Sequence, residues 1–210
     1  MKTKSEETRE KILAAAVKVI RQKGYSATTV QDLCAEAGVS KGAFFHYFES
    51  KEAMAVAAAD SFSTMADGLF AALDRPELSD PLDYVFAYLD LREAILEGET
   101  WEYTCFLGTI VQETYGSSEA LRAVCEKHIF GHATKLEEKF RVALNERNVT
   151  GFDARELAWM SQSVLQGSFI LGKASESRDV IFSCIRQLRR YFEFVFGVTG
   201  NRAVSAAEGG

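Results

Sequence analysis

The near absence of proline is the sequence feature that most restricts what this chain can fold into. Only two prolines occur, Pro76 and Pro81, and both lie in one short stretch. Proline inside a helix removes a backbone hydrogen bond and clashes with the preceding turn, so long proline-free stretches favour uninterrupted helices. Alternating runs of Val, Ile and Thr, which would indicate strands, do not occur. The sequence therefore predicts an all-α protein.

Composition narrows the class of protein further. The 210 residues are 47% hydrophobic and 26% charged, with a net charge of −6, and these values are close to the average for globular proteins. No apolar run approaches the roughly 20 residues of a membrane-spanning helix, and the charged start shows no secretion signal. The four cysteines are scattered without a Cys-x-x-Cys pair. We therefore expect reduced thiols and a cytoplasmic protein without a membrane partner.

Charge is distributed unevenly along the chain. Nine basic and six acidic residues occur up to Lys51, a surplus of three positive charges, whereas the remainder holds 15 basic and 24 acidic residues. A basic head on an acidic body is typical of a nucleic-acid binder with a separate second function. Because a surplus of three is small, chance composition is the alternative.

Capping signals delimit the first two helices. Apolar residues at helical spacing predict a first helix over residues 6–23, which Gly24 ends. Thr29 can cap a second helix, with Asp32 three residues later as its capping-box partner.

A turn that contains glycine joins the second helix to a short third one. Residues 38–40, Gly-Val-Ser, combine a residue that accepts positive φ, a core side chain and a helix cap. The third helix is expected from Lys41 to about Phe48, and its spacing turns Phe44 and Phe48 inward. The outward positions are Lys41, Ala43 and Tyr47. Two short helices joined in this way behind a first helix form a helix-turn-helix, whose second helix suits the major groove of DNA.

The third helix carries residue types that contact with DNA requires. Gly42 and Ala43 are small, so base edges can approach closely, and Lys41 supplies a cation for guanine or phosphate. The residues placed to reach flanking phosphates are Tyr47, Lys51, Thr28 and Thr29. The last two lie at the amino end of the second helix, where free N–H groups favour an anion.

The run from Thr28 to Glu52, TTVQDLCAEAGVSKGAFFHYFESKE, resembles the DNA-binding domain of the TetR family. The resemblance extends over residues 7–57, and the rest of the chain matches in length and helical character. It implies a homodimeric transcriptional regulator whose C-terminal helical domain binds a small-molecule inducer. It also implies a repressor that the inducer releases from a pseudo-palindromic double-stranded DNA operator.

The helix positions and the resemblance together give the candidate DNA contacts. They are Thr28, Thr29, Ser40, Lys41, Gly42, Ala43, Phe45, His46, Tyr47 and Lys51. Phe45 stands where the family usually has Tyr, so an apolar contact to a thymine methyl replaces a hydroxyl contact. The alternatives are a three-helix packing module, or a helical protein-binding module, without affinity for DNA.

Helical patterns continue through the rest of the chain. After a long fourth helix that Ser50 caps, the predicted helices span residues 81–97, 104–115, 118–148, 153–174 and 177–196. The expected domains are a helix-turn-helix domain over residues 1–50, a helical ligand-binding and dimerisation domain over 51–198 and a disordered tail over 199–210.

The last two long helices have the pattern of a dimer interface. In the final helix Ile181, Ile185, Leu188, Phe192 and Val195 repeat at four-three spacing. Its end is apolar almost all round, so one face can pack within the chain and another against a partner. Small residues in the preceding helix permit close helix approach; they are Ser163, Gly167, Ser168 and Gly172. A core formed entirely within one chain is the alternative.

Aromatic residues are frequent in the middle helices and can line an apolar small-molecule pocket with a few polar groups. The candidate ligand-binding residues are Trp101, Tyr103, Cys105, Phe106, Glu113, Phe130, His132, Trp159, Gln166 and Phe169. Aromatic residues at helical spacing are also typical of an ordinary core.

Two further hypotheses involve cysteine. Cys125, His128 and His132 share one helical face at a spacing that suits metal ligands, but a fourth ligand is not evident. We therefore expect no metal and no other cofactor. Cys105 could sense electrophiles only with a lowered thiol pKa, and no cationic residue lies close to it in sequence.

An all-α enzyme is the remaining alternative to a regulator. The sequence contains neither a Gly-rich phosphate-binding loop nor a Glu-x-x-His pair. Only three histidines occur, and His46 belongs to the proposed DNA-binding unit. We therefore expect that the chain is not an enzyme.

Overall fold

The computed structural model describes residues 3–75, 78 and 80–198, and all regular structure in these residues is helical. The helices are α1 (Lys4–Lys23), α2 (Val30–Ala37), α3 (Lys41–Tyr47), α4 (Lys51–Ala71), α5 (Pro81–Ala94), α6 (Thr100–Tyr103), α7 (Phe106–Thr114), α8 (Glu119–Glu146), α9 (Ala154–Ser175) and α10 (Arg178–Val195). The all-α prediction is confirmed. The tail predicted over residues 199–210 lies outside the described residues.

Side-chain caps fix where several helices begin. Thr29 and Asp32 form the predicted capping box of α2: the Thr29 hydroxyl accepts from the Asp32 N–H at 3.1 Å, and the Asp32 carboxylate accepts from the Thr29 N–H at 2.8 Å. The Ser40 hydroxyl accepts from the Ala43 N–H at 3.1 Å at the start of α3. Asp80 caps α5 in the same way. Each cap provides an acceptor for an N–H group that has no partner within its helix.

Two of the helix boundaries that differ from the sequence prediction have clear local reasons. α1 begins at Lys4 because Thr3 forms a capping box ahead of it. The helix predicted from residue 104 begins at Phe106, since Thr104 and Cys105 have extended backbone with ψ of 159° and 123°. The residues before this break form the separate short helix α6.

The described chain divides into two compact units. The first contains the residues up to Leu69 together with Gly98–Gly131, and the second contains Phe70–Glu97 together with the residues from His132 onward. Helices α4 and α8 contribute residues to both units. The division into a DNA-binding domain and a ligand-binding domain at residue 50 is a statement about function, and it stays a prediction.

The helix-turn-helix shares its apolar core with later helices of the first unit. The buried side chains include Ile12, Ala16, Ile20, Leu33, Phe44, Phe48, Met54, Phe106, Ile110, Leu121 and Cys125. α1 packs against α2 and also against α6 and α7. The orientation of α2 and α3 therefore depends on α7 and α8 as well as on α1.

In the second unit, α10 packs against α9 and α5. All five residues of the predicted four-three pattern in α10 are buried. The Phe192 ring contacts that of Phe140 in α8, with centroids 4.9 Å apart. A Cβ atom at Gly172 would lie 2.6 Å from Ile181 Cδ1, so a larger residue there would require Ile181 to move where α9 and α10 approach. The four-three pattern thus forms the core within one chain, and any partner must use another face of these helices.

Neighbouring phenylalanines of α3 provide a test of the first core. Phe44 is fully buried, whereas 46% of Phe45 is exposed. We expect Phe44→Ala to lower the free energy of unfolding by about 3–5 kcal/mol, because it leaves a cavity. Phe45→Ala, the matched control, should cost less than about 1 kcal/mol. Chemical denaturation of both variants measures this, and equal losses would contradict the assigned orientation of α3.

Candidate nucleic-acid interface

Helix α3 presents a surface that the rest of the described chain leaves uncovered. Lys41, Gly42, Phe45 and His46 are exposed, whereas Ala43 and Tyr47 are half-buried. The inward orientation of Phe44 and Phe48 is confirmed. The outward face differs from the prediction, because Phe45 and His46 are more exposed than Ala43 and Tyr47.

The exposed side chains of α3 are arranged by contacts with each other and with α1. Lys41 Nζ lies 5.9 Å from the centroid of the Phe45 ring, within range of a cation–π interaction. The Tyr47 hydroxyl lies 3.1 Å from Ser5 Oγ, which connects the end of α3 to the start of α1. The His46 ring meets the Tyr47 ring edge-on, with centroids 4.9 Å apart. This surface combines a cation, an exposed aromatic ring and a hydroxyl group.

Ser40 has a structural role at the start of this helix. Residues 38–42, Gly-Val-Ser-Lys-Gly, have the spacing of a hydrolase nucleophile elbow. Such an elbow requires a strand before the serine, but here helix α2 precedes it and the hydroxyl caps α3. The motif therefore belongs to the turn of the helix-turn-helix.

Two predicted phosphate ligands have partners within the chain. Thr28 is buried, and its hydroxyl donates to the Gly24 carbonyl at 2.6 Å. Lys51 Nζ donates to the carbonyls of Tyr25 and Thr28, both at 3.0 Å, and lies 4.2 Å from the centroid of the Tyr25 ring. Burial lowers the pKa of Lys51, and the charge of Glu113 opposes this effect. Both side chains hold the loop before α2, and direct phosphate contact by them stays a prediction.

Glu113, predicted as a pocket residue, holds the same loop from its other side. Its carboxylate accepts from the N–H groups of Tyr25 at 3.0 Å and Ser26 at 2.8 Å. Gly24 has a φ of +89°, and a Cβ there would lie 2.5 Å from Glu113 Oε1. We call residues 24–29, with Lys51 on their carbonyls and Glu113 on their amides, the clamped loop. Sequence reasoning missed this arrangement because Glu113 is separated from the loop by almost ninety residues.

The amino end of α2 differs in detail from the predicted anion site. Thr29 is exposed, but its N–H and that of Asp32 are occupied by the capping box. Lys23 lies 2.7 Å from the Asp32 carboxylate, and hydrogen bonds from Lys23 and Thr29 hold the pKa of Asp32 far below its usual value. Within the first turn, the N–H groups of Val30 and Gln31 are the ones that lack an intrahelical acceptor.

The predicted pocket residues are divided between the two units. Those in the first unit are Trp101, Tyr103, Cys105, Phe106, Glu113 and Phe130, and those in the second are His132, Trp159, Gln166 and Phe169. Tyr103, Phe106 and Phe169 are buried, and the Phe106 ring packs against Phe62 with centroids 5.6 Å apart. About half of each of the Phe130 and Trp159 side chains is exposed. Membership of a ligand pocket stays a prediction for all ten.

Cys105 has a cationic neighbour that its sequence surroundings did not indicate. It is the N-cap of α7, where its Sγ accepts from the Gly108 N–H at 3.4 Å. Arg21 of α1 lies close enough for its charge to interact with Cys105. Burial lowers the pKa of Arg21 to about 10, and attraction to Cys105 and Glu102 opposes this. The cation comes from another helix.

The predicted cysteine–histidine face is occupied by other interactions. Cys125 donates to the Leu107 carbonyl at 3.6 Å, and burial raises its pKa to about 12, so the thiol stays protonated. His128 Nε2 lies 2.6 Å from an Asp60 oxygen. In the described ranges, no three potential metal ligands form a group that could hold an ion.

None of the described helices is long and apolar enough to cross a membrane.

The helical head, with an exposed α3 behind a glycine-bearing turn, defines a helix-turn-helix DNA-binding transcriptional regulator. Comparison with known families makes this specific. The family model of the bacterial regulatory proteins of the TetR family matches residues 12–58. The family model of the LmrA/YxaF-like C-terminal domain of transcriptional regulators matches residues 81–187. The chain belongs to the TetR family, and it is a regulator and not an enzyme.

Individual relatives agree with this assignment. An uncharacterised HTH-type transcriptional regulator in the lacX 3′ region of Lactococcus lactis is 26% identical over 198 residues, which cover 90% of this chain and 94% of the relative. The HTH-type transcriptional regulator LmrA of Bacillus subtilis is 23% identical, with 87% and 96% covered. A TetR transcriptional regulator from Chloroflexus aurantiacus has the same fold, with a TM-score of 0.80, 24% identity and 90% and 96% covered.

The clamped loop gives a prediction that is specific to two amides. Glu113→Gln removes the negative charge and leaves one acceptor for two N–H groups, so we expect the unit to lose about 1 kcal/mol of stability. Amide hydrogen exchange at Tyr25 and Ser26 should become faster. The amide of Gly24, which donates to the Ile20 carbonyl at 2.8 Å, is the internal control. Unchanged exchange at Tyr25 and Ser26 would show that Glu113 does not hold the loop.

Proposed function

We propose that this TetR-family protein is a dimeric repressor that a small-molecule inducer releases from a pseudo-palindromic operator. The exposed α3 surface, with Lys41, Phe45 and His46 free of the core, is the observation that supports direct contact with DNA. Because its partner is DNA, we place its action in the cytoplasm.

Repression of this kind requires two heads at a fixed spacing. Two recognition helices must lie about 34–36 Å apart to enter successive major grooves. An inducer that binds better to a conformation with another spacing lowers operator affinity through linkage, typically by about 1–3 kcal/mol. The function thus needs a dimer and a ligand site in addition to the head.

Substitutions in α3 test the DNA contact. We expect Lys41→Ala to weaken binding to DNA from upstream of the protein's own gene, and to reduce the salt dependence by about one unit of slope if Lys41 contacts phosphate. A loss of about 1–3 kcal/mol with relaxed base preference would instead indicate a guanine contact. Tyr47→Phe tests the hydroxyl alone. Fluorescence anisotropy at several salt concentrations measures these effects.

Arg122→Ala is the matched control, since it removes the same charge from an exposed pair with Glu126 in α8. Its affinity should equal that of the parent protein. Folded Lys41→Ala and Tyr47→Phe variants that bind as tightly as the parent would contradict the proposed interface. If the signal of the parent with this DNA shows no dependence on salt concentration, a helical module without DNA affinity is favoured.

The dimer is proposed to form through α9 and α10. An apolar groove of about 660 Å³ runs along these helices, and its lining includes Met160, Val164, Val180, Cys184 and Tyr191. Further apolar residues on the same two helices are exposed: Trp159, Ile170, Leu171 and Phe194. Exposed apolar surface of this kind is typical of an interface, and Leu188 is the one residue of the buried four-three pattern that also lines the groove.

A charge placed in this surface tests the dimer. We expect Phe194→Glu to convert the dimer to a monomer, because 76% of the Phe194 side chain is exposed in a single chain and a carboxylate would be buried between two. Val142→Glu on α8 is the control, since 43% of Val142 is exposed on another helix. Light scattering should give the mass of two chains for the parent and control. A dimeric Phe194→Glu protein would place the interface elsewhere.

A further inference from the structure

A cluster of polar side chains in the second unit has more hydrogen-bond donors than acceptors. Tyr88 and Arg92 lie one turn apart on α5, His132 lies on α8 and Gln162 lies on α9. Arg92 Nε and Nη2 donate to the Tyr88 hydroxyl oxygen at 3.0 and 2.9 Å, and Gln162 Nε2 donates to the same oxygen at 3.4 Å. We call these four residues the Arg92 cluster.

The acceptors of the Arg92 cluster can be counted. Arg92 Nη2 and the Tyr88 hydroxyl lie 3.1 and 3.0 Å from His132 Nε2, and arginine cannot accept, so this nitrogen is the acceptor of the Arg92 contact. One phenol oxygen with two lone pairs and one imidazole nitrogen therefore receive five donated contacts. No carboxylate in the described part of the chain forms an ion pair with Arg92. Among the described residues, the Arg92 guanidinium thus donates to the Tyr88 oxygen and the His132 nitrogen, and its charge has no carboxylate partner.

Aromatic rings surround the guanidinium group. Arg92 Cζ lies 4.4 Å from the centroid of the Phe70 ring and 5.0 Å from that of Tyr88. The Phe70 ring also contacts the His132 ring, with centroids 4.9 Å apart. Phe70 and Tyr88 are buried, whereas Arg92, His132 and Gln162 each keep partial exposure. The partly exposed donors can therefore be approached from solvent, next to the partly exposed His132 ring.

We propose that the Arg92 cluster binds the carboxylate of a planar aromatic acid. A carboxylate supplies the two acceptor oxygens and the charge that the guanidinium lacks, in the bidentate geometry that arginine favours. A single cation balances one carboxylate charge, whereas a phosphate dianion would leave a charge uncompensated. The partly exposed His132 ring, which packs against Phe70, provides an aromatic surface for a planar ligand. The proposal that this acid is the inducer rests on the proposed function, but binding itself does not.

Binding is tested with simple probes on the full-length protein. Calorimetric titration with benzoate should show binding, and neutral benzamide of the same shape should bind about tenfold more weakly or worse, because it lacks the charge. Cyclohexanecarboxylate, which keeps the charge without the planar ring, should also bind more weakly. Benzamide binding equal to that of benzoate, or no benzoate binding at millimolar concentration, would overturn the site.

Two variants assign the binding to the cluster. Arg92→Gln should weaken benzoate binding about tenfold or more, whereas the control Arg190→Gln on exposed α10 surface should leave it unchanged. Tyr88→Phe removes the phenol oxygen that now occupies the donors, so benzoate should bind more tightly. If Arg92 had only a structural role, Tyr88→Phe would not increase the affinity for benzoate. The Tyr88→Phe measurement therefore tests the site even if Arg92→Gln does not fold. Unchanged or weaker binding by Tyr88→Phe would overturn the proposal.

The regulatory role of the Arg92 cluster is tested separately, by measuring operator affinity with and without saturating benzoate. Lower operator affinity in the parent, abolished by Arg92→Gln, supports an inducer site. Benzoate binding that depends on Arg92 but leaves operator affinity unchanged would retain the site and reject only its part in the proposed induction.

Discussion

The position of the recognition helix depends on how the six residues before α2 are held. Lys51 of α4 binds carbonyls of the clamped loop, and Glu113 of α7 binds its amides. A loop of this kind would otherwise expose backbone groups to water and sample many conformations. The positive charge of Lys51 on the carbonyls and the negative charge of Glu113 on the amides thus hold a backbone segment that is neither helix nor strand. The start of α2, and with it the turn into α3, is fixed as a result.

This arrangement makes the DNA-binding head part of a larger unit. Its core includes Phe106 and Ile110 of α7 and Leu121 of α8, which come long after the helix-turn-helix in sequence. Glu113 and the Arg21 contact to the Glu102 carbonyl add polar connections between the same parts. A displacement of α7 would change both the apolar contacts and the clamped loop. The head therefore shares both its core and its polar contacts with α7, unlike an independently folded three-helix domain.

The sequence predicted what local chemistry determines. The capping box of Thr29 and Asp32, the cap at Ser40 and the burial of Phe44 each depend on residues within one or two helical turns, and all three are confirmed. The same periodicity predicted the buried face of α3 correctly, but it placed Ala43 and Tyr47 on the outward face, where Phe45 and His46 are more exposed. Glu113 was assigned to a pocket because an isolated acid among aromatic residues carries no signal of a backbone partner far away in sequence.

Other residues were missed for the same reason. Arg21 is remote in sequence from Cys105, so a search of nearby positions could not find a cation for that thiol. Tyr88 and Arg92 carry a local signal, since they are four residues apart on a helix, but the cluster that they form also depends on His132 from another helix.

Helix α5 also connects this cluster to the proposed dimer helix, because Asp90 pairs with Arg189 of α10, whose guanidinium lies 5.4 Å from the Phe86 ring. A carboxylate that draws Arg92 away from Tyr88 therefore acts on the helix against which α10 packs. Such a ligand shifts the equilibrium between dimer geometries only by the difference in its affinity for them. Arg92 meets this requirement if its distance from Tyr88 differs between the two geometries.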